Sequence, residues 1–239
     1  MIIDSHLHAG RADALAHSWD TFADIEVSLR RMDGAGIDRG VVLPIGSGGF
    51  RQRNRETAAL VAAHVSRLWG YAKVSQEEDR GQVGDLLDEA FGELGLRGLK
   101  LHGHPNREIM EALQRHRKPL LVDVFGKVYG LRYVAESYPE IPLIVAHMGQ
   151  FKSSAEAHQV TLWLAQEYPN VYFDTSSVLE HEWLERAAAA GLCHKMIFGS
   201  DGPVCHCGVE LARVKSLALP PGDEDAVLRG NIAALLEAD

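Results

Sequence analysis

Three polar residues alternate along the first eight positions of the chain. Asp4, His6 and His8 lie in the segment MIIDSHLH, and alternate residues of an extended strand point to the same face. Two imidazoles and a carboxylate at the end of a strand cost desolvation free energy unless the group binds something. Because neutral imidazole is the commonest protein ligand for a divalent metal, the functional interpretation is a metal site. The alternative is a partly exposed strand whose histidines only cap its end.

Polar side chains also lie at the ends of four later apolar runs. They are Lys100, His102 and His104 in LKLHGH, Asp123 in LLVDVFG, His147 in LIVAHMG and Asp201 in MIFGSDG. A single residue of this kind is ordinarily a buried polar group that bonds to nearby backbone. Their recurrence at several strand ends favours one shared site over a set of separate structural contacts.

The elements that must position these residues alternate between strand and helix. Eight apolar runs predict strands within residues 1–8, 39–45, 67–74, 96–104, 118–126, 141–149, 170–178 and 194–202. Segments with helical periodicity lie between most of them, the first at 20–36. This alternation predicts an α/β fold, a (β/α)8 TIM barrel formed by residues 1–239 as a single domain, with a C-terminal closing helix at 222–239. The rival is an open doubly wound sheet, but no G-x-G-x-x-G follows the first strand.

The composition narrows the class of protein. Of 239 residues, 46% are hydrophobic and 24% charged, and the formal net charge is −9. An acidic chain is a poor match for phosphate backbones, so nucleic acid is not an expected partner. No apolar run reaches the roughly 18 residues that span a bilayer, and no signal-peptide pattern opens the chain. We therefore expect a cytoplasmic protein, away from membranes, whose three cysteines do not form a disulfide framework.

Five motifs occur in a characteristic order. They are D-S-H-L-H at 4–8, G-L-K-L-H at 98–102, A-H-M-G at 146–149, G-S-D-G-P at 199–203 and L-R-G-N-I-A-A-L-L at 228–236. The ordered set resembles the amidohydrolase superfamily, in its amidohydrolase-related branch of TIM-barrel metal-dependent hydrolases and decarboxylases. The resemblance spans essentially the whole chain.

The resemblance implies a divalent metal at the carboxyl ends of the strands, with Zn²⁺ expected first and Mn²⁺ or Fe²⁺ as alternatives. His6, His8 and Asp201 would ligate the metal, and Asp201 would also take a proton from the attacking water. His147 stands where family members use a histidine as an acid/base, an oxyanion stabiliser or a ligand of a second metal. Bound Zn²⁺ lowers the pKa of its water to about 7, which makes hydroxide available at neutral pH.

Two residues leave alternatives open. Many relatives place a metal-binding histidine where this chain has Asp123; Asp123 either ligates the metal, which favours a harder ion, or orients a ligand imidazole. Lys100 either binds a substrate carboxylate as a point charge or, carboxylated as in binuclear relatives, bridges two metals. We favour the point charge, because the usual second-metal set needs histidines on both strand five and strand six. His102 is expected to contact substrate, with an additional ligand role as the alternative.

Other histidine and cysteine signals are weaker. Cys205-His206-Cys207 is not expected to bind zinc, because ligands so close in sequence rarely reach one tetrahedral centre. Four histidines on or beside predicted helices are expected at the surface: His64, His116, His158 and His194.

The sequence thus predicts a mononuclear metal-dependent hydrolase of a small, carboxylate-bearing amide, ester or lactone. A nonoxidative decarboxylase of a small aromatic or unsaturated acid is the first alternative. A noncatalytic barrel that serves as a binding module is the second. The expected partner is a small-molecule substrate. The loops are short, so the mouth is either open or covered by a neighbouring subunit, and a homo-oligomer stays an open alternative.

Overall fold

The computed structural model of the protein describes residues 1–11 and 22–237. Its strands, in chain order, are β1 (Ile3–Arg11), β2 (Phe22–Ala23), β3 (Arg39–Pro44), β4 (Leu68–Gly70), β5 (Ala72–Lys73), β6 (Leu99–His102), β7 (Leu120–Asp123), β8 (Leu143–Val145), β9 (Val171–Asp174) and β10 (Met196–Ile197). Each of the eight predicted segments contains strand residues.

The helices follow the strands around the outside. They are α1 (Ile25–Ala35), α2 (Arg51–Ala63), α3 (Val83–Asp88), α4 (Arg107–His116), α5 (Leu131–Ser137), α6 (Ala155–Glu167), α7 (Glu182–Ala189), α8 (Cys207–Lys215), α9 (Pro221–Asp225) and α10 (Asn231–Glu237). No helix of the described ranges is both long and apolar enough to cross a membrane.

The strands pair mostly in parallel, and together they form a closed barrel. β1 pairs with β3 and β3 with β4, and a second run of pairs connects β5 through to β10. β4 and β5 form one strand interrupted at Tyr71, whose N–H still donates to Val42 O. The ring closes where Ser5 N–H donates to Phe198 O at 3.0 Å and Asp201 N–H donates to His6 O at 2.7 Å. The predicted (β/α)8 TIM barrel is confirmed.

Apolar residues fill both sides of the sheet. Val41 and Leu43 belong to the cluster inside the barrel, whereas Val42 between them packs toward the outer helices. This alternation explains the continuous apolar strands, since parallel strands are buried on both faces. Ile232 and Leu235 of α10 join the inner cluster, so the C-terminal helix closes one end of the barrel as predicted.

Two expectations about helices are corrected. The predicted helix at 20–36 begins only at Ile25, because Phe22 and Ala23 pair antiparallel with β1 instead; residues 20–21 lie outside the described ranges. His158 is fully buried rather than exposed. Its Nδ1 lies 3.1 Å from Met148 O, because α6 buries more than one face beneath the loop that follows β8.

Candidate metal centre

His6, His8 and Asp201 converge where β1 meets the segment after β10. Each offers one ligand atom, and the three atoms all lie within 4.8 Å of one another. Asp201 Oδ1 lies 3.2 Å from His8 Nε2 and 3.5 Å from His6 Nε2. His6 and Asp201 are buried, and 11% of the His8 side chain is exposed. The structure thus brings together the three residues predicted as the principal ligands.

Asp4 alternates with His6 and His8 in the sequence, but its carboxylate does not belong to their group of converging ligand atoms. Its carboxylate accepts hydrogen bonds from Ser200 N–H at 2.9 Å and from the Ser200 hydroxyl at 2.5 Å. It also accepts the His6 N–H at 3.1 Å. Burial raises the pKa of Asp4 to about 7. Asp4 therefore anchors β10 to β1 and sets the separation of the two segments that carry His6 and Asp201.

Asp174, at the end of β9, fixes the protonation of His6. Its Oδ2 lies 2.7 Å from His6 Nδ1. An ionised carboxylate only accepts, so Nδ1 carries the proton and the lone pair of Nε2 points away from Asp174. Burial, with the nearby Lys100 charge, lowers the pKa of His6 well below its ordinary value, which keeps the imidazole neutral.

These donor atoms fit a cation. His6 Nε2 and Asp201 Oδ1 are both acceptors and face each other at 3.5 Å. The Lys100 ammonium lies 3.5 Å from His6 Nε2 and supplies one positive charge beside this pair. His8 Nδ1 is also buried without a hydrogen-bond partner, and burial lowers the pKa of His8. Two neutral imidazoles and one carboxylate are a ligand set that Zn²⁺ and Mn²⁺ accept.

Asp201 is held in its ionised form. Burial by itself would raise the pKa of this carboxyl, but the hydrogen bond with His8 and the nearby imidazoles of His6 and His147 lower it below the usual range. The residue has a positive φ of 60°, and the Ser177 hydroxyl lies 3.4 Å from its Oδ2. A buried, ionised carboxylate beside two imidazoles can act both as a ligand and as a proton acceptor.

His147 lies against His6 but outside the group of three. The two rings stack with centroids 5.1 Å apart. His147 Nδ1 lies 3.1 Å from Ser176 O, and its backbone N–H donates to Asp174 Oδ1 at 2.7 Å. His6, His147 and Asp174 also form a second set of converging ligand atoms. Asp174 already hydrogen-bonds to both histidines of this set, which makes it an orienting network.

Asp174 was not among the predicted site residues. It follows the apolar residues of β9 in the run D-T-S-S, which has the composition of an ordinary turn. The available signal was its position, because it follows the apolar residues of a predicted strand as Asp123 does.

Asp123 lies beside His147 rather than beside the group of three. Its Oδ2 is 3.9 Å from His147 Nε2, and its Oδ1 accepts the Phe125 N–H at 2.9 Å. The geometry therefore places it closer to the orienting network than to the candidate ligands. Its ligand role stays a prediction.

Lys100 is a fully buried cation next to the candidate ligands. Its Nζ lies 3.5 Å from His6 Nε2, and burial lowers its pKa. Asp123, Asp174 and Asp201 attract its charge, but none of the described carboxylates forms an ion pair with it. Its charge is therefore not neutralised by a described carboxylate, and its Nζ contacts the candidate ligand His6.

His102 occupies the rim of the site. It pairs in register with Asp123, and its ring lies 5.7 Å from that of Phe125. Its side chain is exposed and lines a cavity of about 530 Å³ that also borders Phe50 and Gln76. A substrate in this cavity can therefore reach the His102 side chain, as its predicted role requires.

The Cys205–Cys207 segment serves a local structural role. His206 Nδ1 accepts the Gly208 N–H at 3.2 Å and so caps α8. Cys207 is buried and Cys205 is partly exposed, and both are free thiols. Within the described ranges, neither set of converging ligand atoms includes any of these residues.

Comparisons with known proteins identify the family and the fold of the chain. The family model described as amidohydrolase matches residues 3–238, whereas no curated protein matches the chain in sequence. An amidohydrolase from Burkholderia multivorans with bound zinc is 16% identical, with a TM-score of 0.81 and 100% of each chain covered. A dihydroxybenzoic acid decarboxylase from a Polaromonas species, solved with manganese and the inhibitor 2-nitroresorcinol, is 16% identical, with a TM-score of 0.78 and coverage of 99% of this chain and 96% of that one.

A third solved structure is a probable 2-pyrone-4,6-dicarboxylic acid hydrolase from Acinetobacter baumannii with citric acid bound. It is 15% identical, with a TM-score of 0.78 and 99% of each chain covered. At these identities the structures share the fold. The family match over nearly all of the sequence is the stronger finding: the chain belongs to the amidohydrolase family.

Proposed function

We propose that the protein is a metal-dependent hydrolase of a small amide, ester or lactone that carries a carboxylate. The observation that carries this proposal is the convergence of His6, His8 and Asp201 within 4.8 Å at the carboxyl ends of two adjoining strands, where TIM-barrel active sites lie. Membership of the amidohydrolase family supports it. Zn²⁺ is the expected ion, with Mn²⁺ as the alternative, since similar structures hold zinc and manganese.

The residues of the candidate site have two roles, which are to hold the ion and to transfer a proton. When bound, a divalent cation would supply Lewis-acid polarisation of a water or of a substrate oxygen. Asp201, kept ionised beside His8, accepts the proton of the attacking water. His147, with Nδ1 held against Ser176 O, presents Nε2 as the second group that stabilises or protonates the leaving side of the substrate.

Lys100 supplies the preference for an acidic substrate. Its ammonium is buried 3.5 Å from His6 Nε2 and has no ion-pair partner among the described residues. A substrate carboxylate that reaches it gains a charge-assisted hydrogen bond in a site of low dielectric constant.

Nonoxidative decarboxylation is the second candidate. The buried Lys100 favours it, because it would place a substrate carboxylate next to the candidate ligands, where that carboxylate could leave as CO₂. The manganese-containing decarboxylase from Polaromonas, which has the same fold, is consistent with this reaction. The candidate ligands alone do not separate the two reactions.

Metal content tests the metal site that both candidate reactions require. Protein purified without tags or chelators is analysed by elemental mass spectrometry beside His6→Ala/His8→Ala and Asp123→Asn. We expect about one equivalent of Zn or Mn in the wild type, as for a single three-ligand catalytic site, retention in Asp123→Asn and loss in the double variant. Two equivalents would instead favour a bridging, carboxylated Lys100. No metal, even after reconstitution with Zn²⁺, Mn²⁺ or Fe²⁺, would overturn the proposal and leave a noncatalytic barrel.

Product analysis separates the two reactions. The metal-loaded protein is incubated with small lactones, amides and esters that carry a carboxylate, and separately with aromatic and unsaturated acids. Consumption of the first set without release of CO₂ supports the hydrolase, and CO₂ release from the second set supports the decarboxylase. Asp201→Asn is the control that should abolish either activity.

A further inference from the structure

His147 and Met148 adopt a backbone conformation that L-residues rarely take. Their φ and ψ angles are 57° and 30° for His147, and 48° and 30° for Met148, which places both in the left-handed region. For residues other than glycine this conformation is sterically unfavourable, so it persists only where neighbouring contacts determine it. The contacts that hold this turn therefore decide where the His147 ring lies.

Two side chains of α6 hold the carbonyl oxygen of Met148. The Thr161 hydroxyl lies 2.7 Å from this oxygen and 2.9 Å from Ala157 O, and its one proton is shared between the two, with the Met148 oxygen the closer acceptor. His158 Nδ1 lies 3.1 Å from the Met148 oxygen. A carbonyl oxygen only accepts, so Nδ1 of His158 is the donor; its Nε2 accepts the Ser154 N–H at 3.4 Å. Residues 158 and 161 are three positions apart and share one face of the helix. Both are fully buried, so water does not compete for the carbonyl.

The turn is also pressed closely onto α6. Gly149 has a φ of 102°, and a Cβ there would lie 2.8 Å from Thr161 Oγ1 and 2.3 Å from Val128 Cγ2. A residue with a Cβ at position 149 would have to displace Thr161 of α6 or Val128, so only glycine fits there. The position of the turn is thus set by the helix surface beneath it.

The ring of His147 is restrained from the opposite side. Its Nδ1 lies 2.8 Å from the Ser176 hydroxyl oxygen and 3.1 Å from Ser176 O. The Ser176 hydroxyl donates to Asp174 Oδ1, which also accepts the His147 backbone N–H at 2.7 Å. The β9 side therefore fixes one edge of the imidazole, while α6 fixes the carbonyl of the next residue, Met148. Between these restraints the ring stacks on His6, and its Nε2 lies 3.9 Å from Asp123 Oδ2.

We infer that His158 and Thr161 are positioning residues, which clamp the Met148 carbonyl and thereby orient the His147 imidazole. Neither residue contacts the candidate ligands or the cavity, so they act only through the turn. The catalytic consequence of this orientation depends on the proposed function, whereas the orientation itself does not. The experiment therefore reads the His147 ring directly.

Thr161→Val and Thr161→Ser form the matched pair. Valine keeps the shape and removes the hydroxyl, whereas serine keeps the hydroxyl. Long-range ¹H–¹⁵N spectra of histidine-labelled protein report the tautomer of each ring, and His147→Gln assigns the His147 signal. We expect one ordered Nδ1–H tautomer in the wild type and in Thr161→Ser. In Thr161→Val we expect exchange between tautomers at His147, with His6 and His8 unchanged and Zn²⁺ affinity within about twofold, because the three candidate ligands are untouched.

Folded Thr161→Val protein with an unchanged His147 signal would overturn the inference. If this variant does not fold, the same spectra are recorded for His158→Asn and His158→Leu. The asparagine amide can replace the Nδ1–H donor, so the His147 signal should stay ordered, whereas leucine cannot donate and should allow exchange between tautomers. With a substrate from the product analysis, kcat should fall about tenfold or more in Thr161→Val with little change in KM, and recover in Thr161→Ser, as expected for lost orientation. A protein that binds no metal and turns over no substrate would refute the proposed function yet leave the His147 spectra interpretable.

Discussion

Asp174 determines which nitrogen of His6 is available at the candidate metal centre. It lies 2.7 Å from His6 Nδ1 and accepts the His147 N–H at the same distance. One carboxylate therefore sets the tautomer of a candidate ligand and the position of the neighbouring imidazole. Partners of this kind orient ligands and raise their basicity without touching the ion.

Replacing Asp174 should weaken metal binding although it is not one of the three candidate ligands. We expect Asp174→Asn to reduce Zn²⁺ affinity about 10- to 100-fold, because loss of an orienting partner has costs of this size. Competition with a chromophoric chelator measures the affinity. Asp79→Asn is the matched control, since Asp79 is buried and accepts backbone N–H groups of Ser75 and Phe50, with no contact to His6. Equal affinities in wild type and Asp174→Asn would contradict the assigned role.

Strand parity and position were enough to predict which side chains would lie together, whereas their role as ligands stays a prediction. His6 and His8 of β1 meet Asp201 because β1 adjoins the segment after β10 in a closed barrel, a juxtaposition that the sequence pattern could predict. Asp4 shares the parity of His6 yet bonds to Ser200, because the register of β1 against β3 shifts between Asp4 and Leu7. Parity along a strand cannot reveal such an irregularity.

At the scale of elements, the junction of β1 with β10 carries most of the site. Ser200 donates twice to the buried carboxylate of Asp4, through its N–H and its hydroxyl. Ser5, one residue away from Asp4, has a buried hydroxyl without a hydrogen-bond partner. The two serines therefore offer a comparison between a bonded and an unbonded hydroxyl at the same junction.

Ser200→Ala should destabilise the barrel more than Ser5→Ala. Removing the Ser200 hydroxyl leaves part of the Asp4 carboxyl unsatisfied in the interior, which costs about 1–3 kcal/mol in the free energy of unfolding. Ser5→Ala removes no such bond and should change that free energy by less than about 0.5 kcal/mol. Urea unfolding at fixed pH gives both values. Similar losses in the two variants would show that the Asp4–Ser200 bond does not stabilise the junction.

Helix α6 shows why the burial of a helical residue is hard to predict. The sequence places His158 on a helix of mixed polarity, and a surface position was the natural expectation. In the structure α6 packs against both the barrel and the turn after β8, so Ala157, His158 and Thr161 are all buried. Contact with an irregular loop leaves no periodic signature in the sequence.

The burial of His158 should make stability depend on pH. Burial lowers the pKa of His158 below 6.5 in the folded protein. The unfolded chain therefore binds a proton near pH 6.5 that the folded protein does not bind until lower pH, so this residue reduces stability as the pH falls below 6.5. Between pH 7.5 and 5, wild-type protein should lose more unfolding free energy than His158→Asn, whose amide does not titrate. Parallel stability profiles of the two proteins would refute this linkage.

At the scale of the whole molecule, the candidate ligands come from both ends of the sequence. His6 and His8 lie on the first strand, and Asp201 follows the last one. An ion bound by all three would join the segments whose hydrogen bonds close the barrel. The order of strands and the closing helix could be predicted from the sequence, because alternation and length constrain a barrel strongly. The identity of the ion could not, because it depends on atomic distances.

Metal binding should consequently stabilise the entire fold. An ion that binds only the folded state adds about 2.7 kcal/mol at a hundredfold excess over Kd, which for a chain of this size corresponds to a rise in Tm of about 5 °C or more. Calorimetry of chelator-treated protein with and without Zn²⁺ measures the shift. His6→Ala/His8→Ala should show none, whereas Cys205→Ser, which changes a thiol outside the converging ligand groups, should show the wild-type shift. A rise in Tm that persists in the double variant would mean that the stabilising ion binds elsewhere on the molecule, and the site formed by β1 and β10 would lose its principal support.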